Sequence, residues 1–114
     1  MEHQLPITVY LNNGDAQFHG FGRLGPAQLA VAAQFTLPVA GAPTPNQVKS
    51  ALETVFEQLN IDDPDQTWAL RYRLDRHRSL SVGDVVAVGE TAWAVAPIGW
   101  DLVSTDQLRA ALTQ

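Results

Sequence analysis

Apolar positions in this chain recur with two different periods, and the periods divide it into strands and helices. Ile7–Leu11 (ITVYL) is rich in β-branched and aromatic residues and runs into Asn12-Asn13-Gly14-Asp15, so it predicts a first strand closed by a turn. Ala27–Leu37 carries two signals: its alanines favour a helix, whereas Leu29, Val31, Ala33, Phe35 and Leu37 alternate as in a strand. Pro26 would suit a helix start, but Pro38 and the Phe-Thr-Leu end favour the strand, which is the expectation. Val39–Pro43 then reads as a connecting loop. Over Pro45–Leu59 the period changes. Val48, Leu52, Val55, Phe56 and Leu59 form one helical stripe, with Lys49, Glu53, Glu57 and Gln58 mostly off it. Thr44, Pro45 and Gln47 supply a cap, a first-turn proline and the far side of a capping box. Asn60 is the expected stop, before the polar loop Asp62-Asp63-Pro64-Asp65.

Further on, Trp68, Leu70, Tyr72 and Leu74 alternate with Ala69, Arg71, Arg73 and Asp75, which predicts a strand over Thr67–Leu74 with one apolar and one charged face. Ser81-Val82-Gly83-Asp84 leads into Val85–Val88, Gly89-Glu90 makes a tight turn, and Thr91–Ala96 returns as a β-hairpin. Pro97-Ile98-Gly99-Trp100 bends the chain towards a short edge segment at Asp101–Val103. Ser104 or Thr105 caps a final helix carrying Leu108, Ala111 and Leu112. The fold class is therefore α+β: a mostly antiparallel sheet of about five strands, a main helix over about 45–59 and a short C-terminal helix over about 105–112. Ile7–Leu11 or Thr67–Leu74 is the expected open edge, and an open edge leaves a homodimer available.

Composition narrows the class. The 114 residues, 46% of them apolar, fit one domain spanning 1–114 that needs no disulfide or metal staple. The absence of cysteine excludes thiolate catalysis and fits an intracellular protein. No apolar run approaches the roughly 20 residues of a membrane span, and MEHQLPITVY lacks the features of a signal peptide, so a cytoplasmic protein of a bacterial host cell is expected. A formal charge of −5 argues against coating nucleic acid with the whole surface but leaves room for a local basic patch.

That patch is Arg71, Arg73, Arg76, His77 and Arg78, which hold four of the seven Lys and Arg residues. Its functional reading is an anion or nucleic-acid site; its structural reading is a solvated strand face paired with Asp62, Asp63, Asp75 or Asp84. On a strand, Trp68 and Tyr72 would face away from the arginines, which weakens a stacking platform for single strands. Asp84 lacks a partner acid or base by spacing and reads as a turn aspartate bonded to backbone amides or Arg78. His3, His19 and His77 form no metal-binding pair, and Ser79 and Ser81 lack a nucleophile context, so no catalytic residue, metal or cofactor is expected. The glycine-rich segment 18–25 completes no phosphate-binding fingerprint and reads as a loop with Phe18 and Phe21 on the core. Trp93 is expected in the core with its indole N–H on a backbone carbonyl, while Trp100 stands between packing and partner contact.

Arg78-Ser79-Leu80-Ser81-Val82-Gly83-Asp84-Val85-Val86, followed by Ala92-Trp93-Ala94-Val95 and Ile98-Gly99-Trp100, resembles the YodL-like domain family. Small actinobacterial and actinobacteriophage proteins with the same lead-in and terminal Gly-Trp look closer still. Leu52–Asn60 and Asp63-Pro64 extend the resemblance to about half the chain, from Pro45 to Val103. Gly83 stands where the family commonly has serine, and Ala96-Pro97 where it has Asp-Ser. The resemblance implies an origin in a phage or other mobile element and a part in host takeover, in conflict with host defence or in element maintenance; it carries no catalytic mechanism. The expected function is a small non-enzymatic interaction protein that binds a host or element-encoded protein. The alternative is a nucleic-acid-binding accessory protein using the Arg71–Arg78 cluster.

Overall fold

The computed structural model describes residues 2–12, 29–40, 44–61, 64–77, 79–96 and 98–112. Among these residues, the strands are β1 (Glu2–Asn12), β2 (Leu29–Ala40), β3 (Val85–Val88), β4 (Thr91–Val95) and β5 (Trp100–Val103). The helices are α1 (Pro45–Asn60), α2 (Thr67–Leu74) and α3 (Thr105–Leu112). The strands form one antiparallel sheet in the order β2-β1-β3-β4-β5, an α+β fold as the apolar periods imply.

Alternation in β1 sets the two faces of the sheet. Leu5, Ile7, Val9 and Leu11 are buried against α1 and α2 together with Val86 and Val88. The helices return Leu52, Val55, Leu59, Ala69 and Tyr72 to the same cluster. The opposite face buries Leu29, Val85, Ala92, Ala94 and Val103 with Ala111 of α3. Rows of paired residues run across the strands: Ala33, Val9, Val86, Trp93 and Leu102 stand opposite one another in turn. Pro6 is tolerated inside β1 because it lies past the end of the β1–β3 ladder, where its carbonyl accepts the Gly89 N–H at 2.9 Å.

Local chemistry explains most boundaries. At the start of α1, Thr44 Oγ1 accepts from the Gln47 N–H at 3.2 Å and Gln47 Oε1 accepts from the Thr44 N–H at 2.9 Å, with Pro45 in the first turn. Ser104 and Gln107 make the same reciprocal pair at α3. The β3–β4 hairpin turns on Gly89-Glu90. Gly89 has φ +58°, and no positive φ occurs at Glu90, the pattern of a type II′ turn. Gln58, expected off the apolar stripe of α1, is buried and accepts the Asp65 N–H at 3.1 Å.

Two expectations are corrected. Thr67–Leu74 is helix, not strand. Beyond Thr67 it contains no β-branched residue, and Ala, Leu and Arg are good helix formers, so propensity outweighs an eight-residue alternation. Burial follows the helical geometry: Ala69 and Tyr72 are inside, whereas Leu74 is 82% exposed. The open edges are accordingly neither Ile7–Leu11 nor Thr67–Leu74. β1 lies between β2 and β3, and among the described residues the edges are β2 and β5, with β2 running on through Pro38 to Ala40.

The end of α2 has an uncommon residue in a common motif. The Arg76 N–H donates to Arg73 O at 2.9 Å and the His77 N–H to Tyr72 O at 3.4 Å, the paired bonds of a Schellman cap. The left-handed position, usually glycine, is Arg76 at φ +65°. The His77 ring packs on Tyr72 with centroids 4.9 Å apart, closing the cap with an apolar contact. Arg76→Gly is therefore expected to raise unfolding stability by about 0.5–1 kcal/mol, since the left-handed penalty on a side chain exceeds the added chain entropy of glycine. Urea unfolding of the two proteins checks this.

Candidate functional site

Two features of the sheet concentrate the polar and aromatic residues singled out in the sequence: the loop before β3 and a groove along β4. Ser81-Val82-Gly83-Asp84 is a β-turn in which the Asp84 N–H donates to Ser81 O at 3.0 Å. Gly83, third in the turn, has φ +96°, which a side chain would adopt only at a cost. The Asp84 carboxylate is fully buried. Its Oδ1 accepts the Asn12 N–H at 2.7 Å and its Oδ2 the Ser81 N–H at 2.8 Å. Asn12 Nδ2 donates to Gly83 O at 3.1 Å, and Gly83 N–H and Asp84 O bond Val95 at the end of β4. From the other side, Asn60 at the end of α1 receives the Leu80 N–H on Oδ1 at 2.7 Å and returns Nδ2 to Leu80 O at 3.1 Å. The loop is thus clamped by two asparagines from distant parts of the chain, and Ser79 is exposed at its start.

The groove lies on the helix-covered face, between the first half of α1 and strands β4 and β5. It encloses about 960 Å3 and is lined by Pro45, Val48 and Leu52 from α1 and by Trp93 and Trp100 from the sheet. Lys49, Glu53 and Thr91 add polar groups. Trp93 and Trp100 are diagonal neighbours across β4 and β5 and are both half-buried. The Trp93 indole N–H donates to Thr91 Oγ1 at 3.1 Å, and that hydroxyl donates to Val88 O at 2.9 Å. The partner of the indole is therefore a hydroxyl rather than a backbone carbonyl, and the ring forms groove wall instead of full core. Trp100 meets Phe56 edge-to-face, with centroids 6.1 Å apart. Gly99, at φ +72° with no atom near the place a Cβ would take, owes its identity to its backbone angle alone. Beyond the tryptophans, Leu102 stands opposite Trp93 and is 63% exposed.

Among the described residues, the basic cluster does not form a single cationic face. Arg71 and Arg73 occupy the last turn of α2, where positive charge complements the helix carbonyls. Arg73 also donates to the carbonyl of Ile61. Arg76 provides the left-handed cap and His77 packs on Tyr72. Because the segment is helical, Trp68 and Tyr72 do not point away from the arginines. Arg71, Trp68, Tyr72, Phe35 and Asp75 line one hollow beside β2, with Phe35 stacked on Trp68 at 4.2 Å. Arg78, Asp62, Asp63, Pro97, His19 and the glycine-rich segment 18–25 lie outside the described residues, as does the side chain of His3.

Of the residues flagged in the sequence, Ser81, Gly83 and Asp84 meet in the clamp, and Trp93, Gly99 and Trp100 meet at the groove. Asn12, Asn60 and the α1 wall were not flagged. Asn12 reads as a turn residue and Asn60 as a helix stop, and nothing local announces that each bonds a distant backbone. Thr91 could have been found, since a hydroxyl two residues before a strand tryptophan shares its face. Among the described residues, no group of three His, Asp or Glu side chains could hold a metal ion, and no helix is long and apolar enough to cross a membrane. No family model, curated protein or solved structure matches the chain.

Asp84→Asn would set an amide NH2 against a backbone N–H that now donates to a carboxylate. A loss of about 1.5–3 kcal/mol in stability is expected, the range for a hydrogen bond to a charged group, with the far-ultraviolet circular dichroism of the folded protein unchanged. Thermal or urea unfolding measures it.

Proposed function

We propose that this chain is a small non-enzymatic interaction protein that captures an extended, apolar segment of a partner protein along β5 and into the tryptophan groove. The observation that carries the reading is the position of two half-buried tryptophans and an exposed Leu102 beside an edge strand. A strand added to β5 gains main-chain hydrogen bonds that any sequence can make, while its alternate side chains reach the groove and select the partner. Tryptophan has a large, stiff side chain and is over-represented among residues that dominate binding energy.

Charge refines the partner. The chain carries −5 overall, and at the groove Lys49 and Glu53 offset one another, so the net acidity of the whole surface is what a partner meets. A segment flanked by basic residues is therefore favoured in both encounter and selection. The resemblance to YodL-like domains adds a source, a phage or mobile element, and a partner that is a host or element-encoded protein in the bacterial cytoplasm. Nucleic acid held by the arginines receives less support. Arg73 and Arg76 serve the ends of helical segments, and the hollow in which Arg71 adjoins aromatic rings also contains Asp75.

The test uses arrayed peptides that alternate apolar and polar residues, with and without basic flanks, read by tryptophan emission. Saturable binding is expected for the basic-flanked set, and Trp100→Ala is expected to weaken it at least about 30-fold, the loss of a binding hot spot. Equal binding to the Trp100→Ala protein would refute the groove. So would binding of single-stranded DNA or RNA at about 50 mM salt that disappears in Arg71→Glu, because it moves the contact surface to α2.

A further inference from the structure

The second edge of the sheet has a different chemistry. β2 spans Leu29–Ala40, and among the described residues it is hydrogen-bonded to a strand, β1, on one side only. Natural edges are usually guarded by lysine or other charges, by proline, or by bulges. β2 has no charge at all, and no charged residue stands between Arg23 and Lys49. Its guards sit at the flanks. The register with β1 shifts between Val9 and Tyr10, which leaves Ala32 as the extra residue of a bulge, and Pro38 interrupts the far end. Between them, Ala33–Leu37 is a neutral segment in regular register with β1, and among the described residues no strand pairs with its outer side.

We infer that this chain forms a symmetric dimer by pairing β2 with β2 of a second copy, antiparallel, about a two-fold axis at Phe35. Three observations choose a second copy over another occupant. An antiparallel strand pair is self-complementary, so one edge can satisfy both partners. A two-fold at the centre of this segment sets Ala33 opposite Leu37 of the second copy, and Phe35 opposite Phe35, all on the face that already packs on the helices. Gln34 then meets Thr36 on the other face, where both are exposed. Charge is also self-complementary. The chain is −5 overall, which resists association of copies through most of the surface, yet this edge is neutral. The hollow beside it carries one cation and one anion, Arg71 and Asp75, a balanced pair that two copies can present to each other without net repulsion. The Phe35–Trp68 stack would extend across the axis into a cluster of four rings.

Mass and register test the inference together. Light scattering on a sizing column, over about 1 µM to 1 mM protein, is expected to give twice the 12.4 kDa chain mass. Gln34→Lys with Thr36→Lys places lysine opposite lysine at both positions and is expected to weaken the dimer at least tenfold. Gln34→Glu with Thr36→Lys places glutamate opposite lysine and is expected to retain it. Both variants alter exposed side chains, and cooperative thermal unfolding identifies folded protein. A monomer throughout the range, a dimer indifferent to the two lysines, or equal loss of the dimer in both variants would overturn the inference. The groove lies at the opposite edge, so these variants leave peptide capture at Trp93 and Trp100 untouched, and each proposal can fail without the other.

Discussion

A carboxylate shut away from water holds the centre of this fold. Asp84 is fully buried, and its two oxygens accept backbone N–H groups from opposite directions: Asn12 at the end of β1, and Ser81 at the start of its own turn. A buried charge is tolerated only when it is bonded, and here the bonding partners join segments 72 positions apart. The same turn bonds Val95 through Gly83 and Asp84, so the end of β1, the start of β3 and the end of β4 meet at one point. That convergence fixes the register of the three central strands. A slip of one residue would carry Val86 and Val88 out of the helix-covered core, and Trp93, paired with Val86, would leave the groove with them.

The groove inherits its rigidity from this clamp and from the two ends of α1. The first turn of α1 is closed by the reciprocal Thr44–Gln47 bonds, and its last residue, Asn60, is tied to Leu80 in the loop that leads to Asp84. The wall that faces Trp93 and Trp100 is therefore anchored at both ends, and the floor is registered by the clamp. Trp93 itself is oriented by the bonds from its indole through Thr91 to Val88. Walls tied down in this way lose little conformational entropy on contact, which supports the proposed capture of a partner segment.

How far this was legible in the sequence depends on how local each cause is. The capping box at Thr44, the hairpin turn at Gly89 and the alternation of β2 lie within a few residues, and each is visible in the order of the amino acids. The misreading of Thr67–Leu74 arose from the same locality. Eight residues can satisfy a two-residue alternation by chance, and only the packing of Ala69 and Tyr72 against the sheet decides for the helix. With that change, Trp68 and Arg71 move to one surface, and the basic cluster resolves into helix-end residues of several kinds. The groove was the least legible part because its walls come from α1, β4 and β5, and no single segment reports their meeting. The turn Ser81–Asp84 is also the clamp, so its residues are explained by folding before any function is invoked.

The two edges of the sheet differ in length and charge, and the two proposals rest on that difference. β5 is short, carries Asp101 and opens onto tryptophans, features suited to a selective and reversible contact with a different chain. β2 is three times as long and carries no charge, features suited to a permanent contact with an identical chain. An acidic protein whose charge were spread evenly would repel its own copies at every surface. Here the charges stand apart from the long stretch between Arg23 and Lys49, and the neutral edge is what remains. The strands between the edges are pinned by Asp84, so neither edge can move to cover the other. Among the described residues neither margin is paired to a further strand, and on the proposed pairing a second copy at β2 would double the number of grooves without obstructing either one.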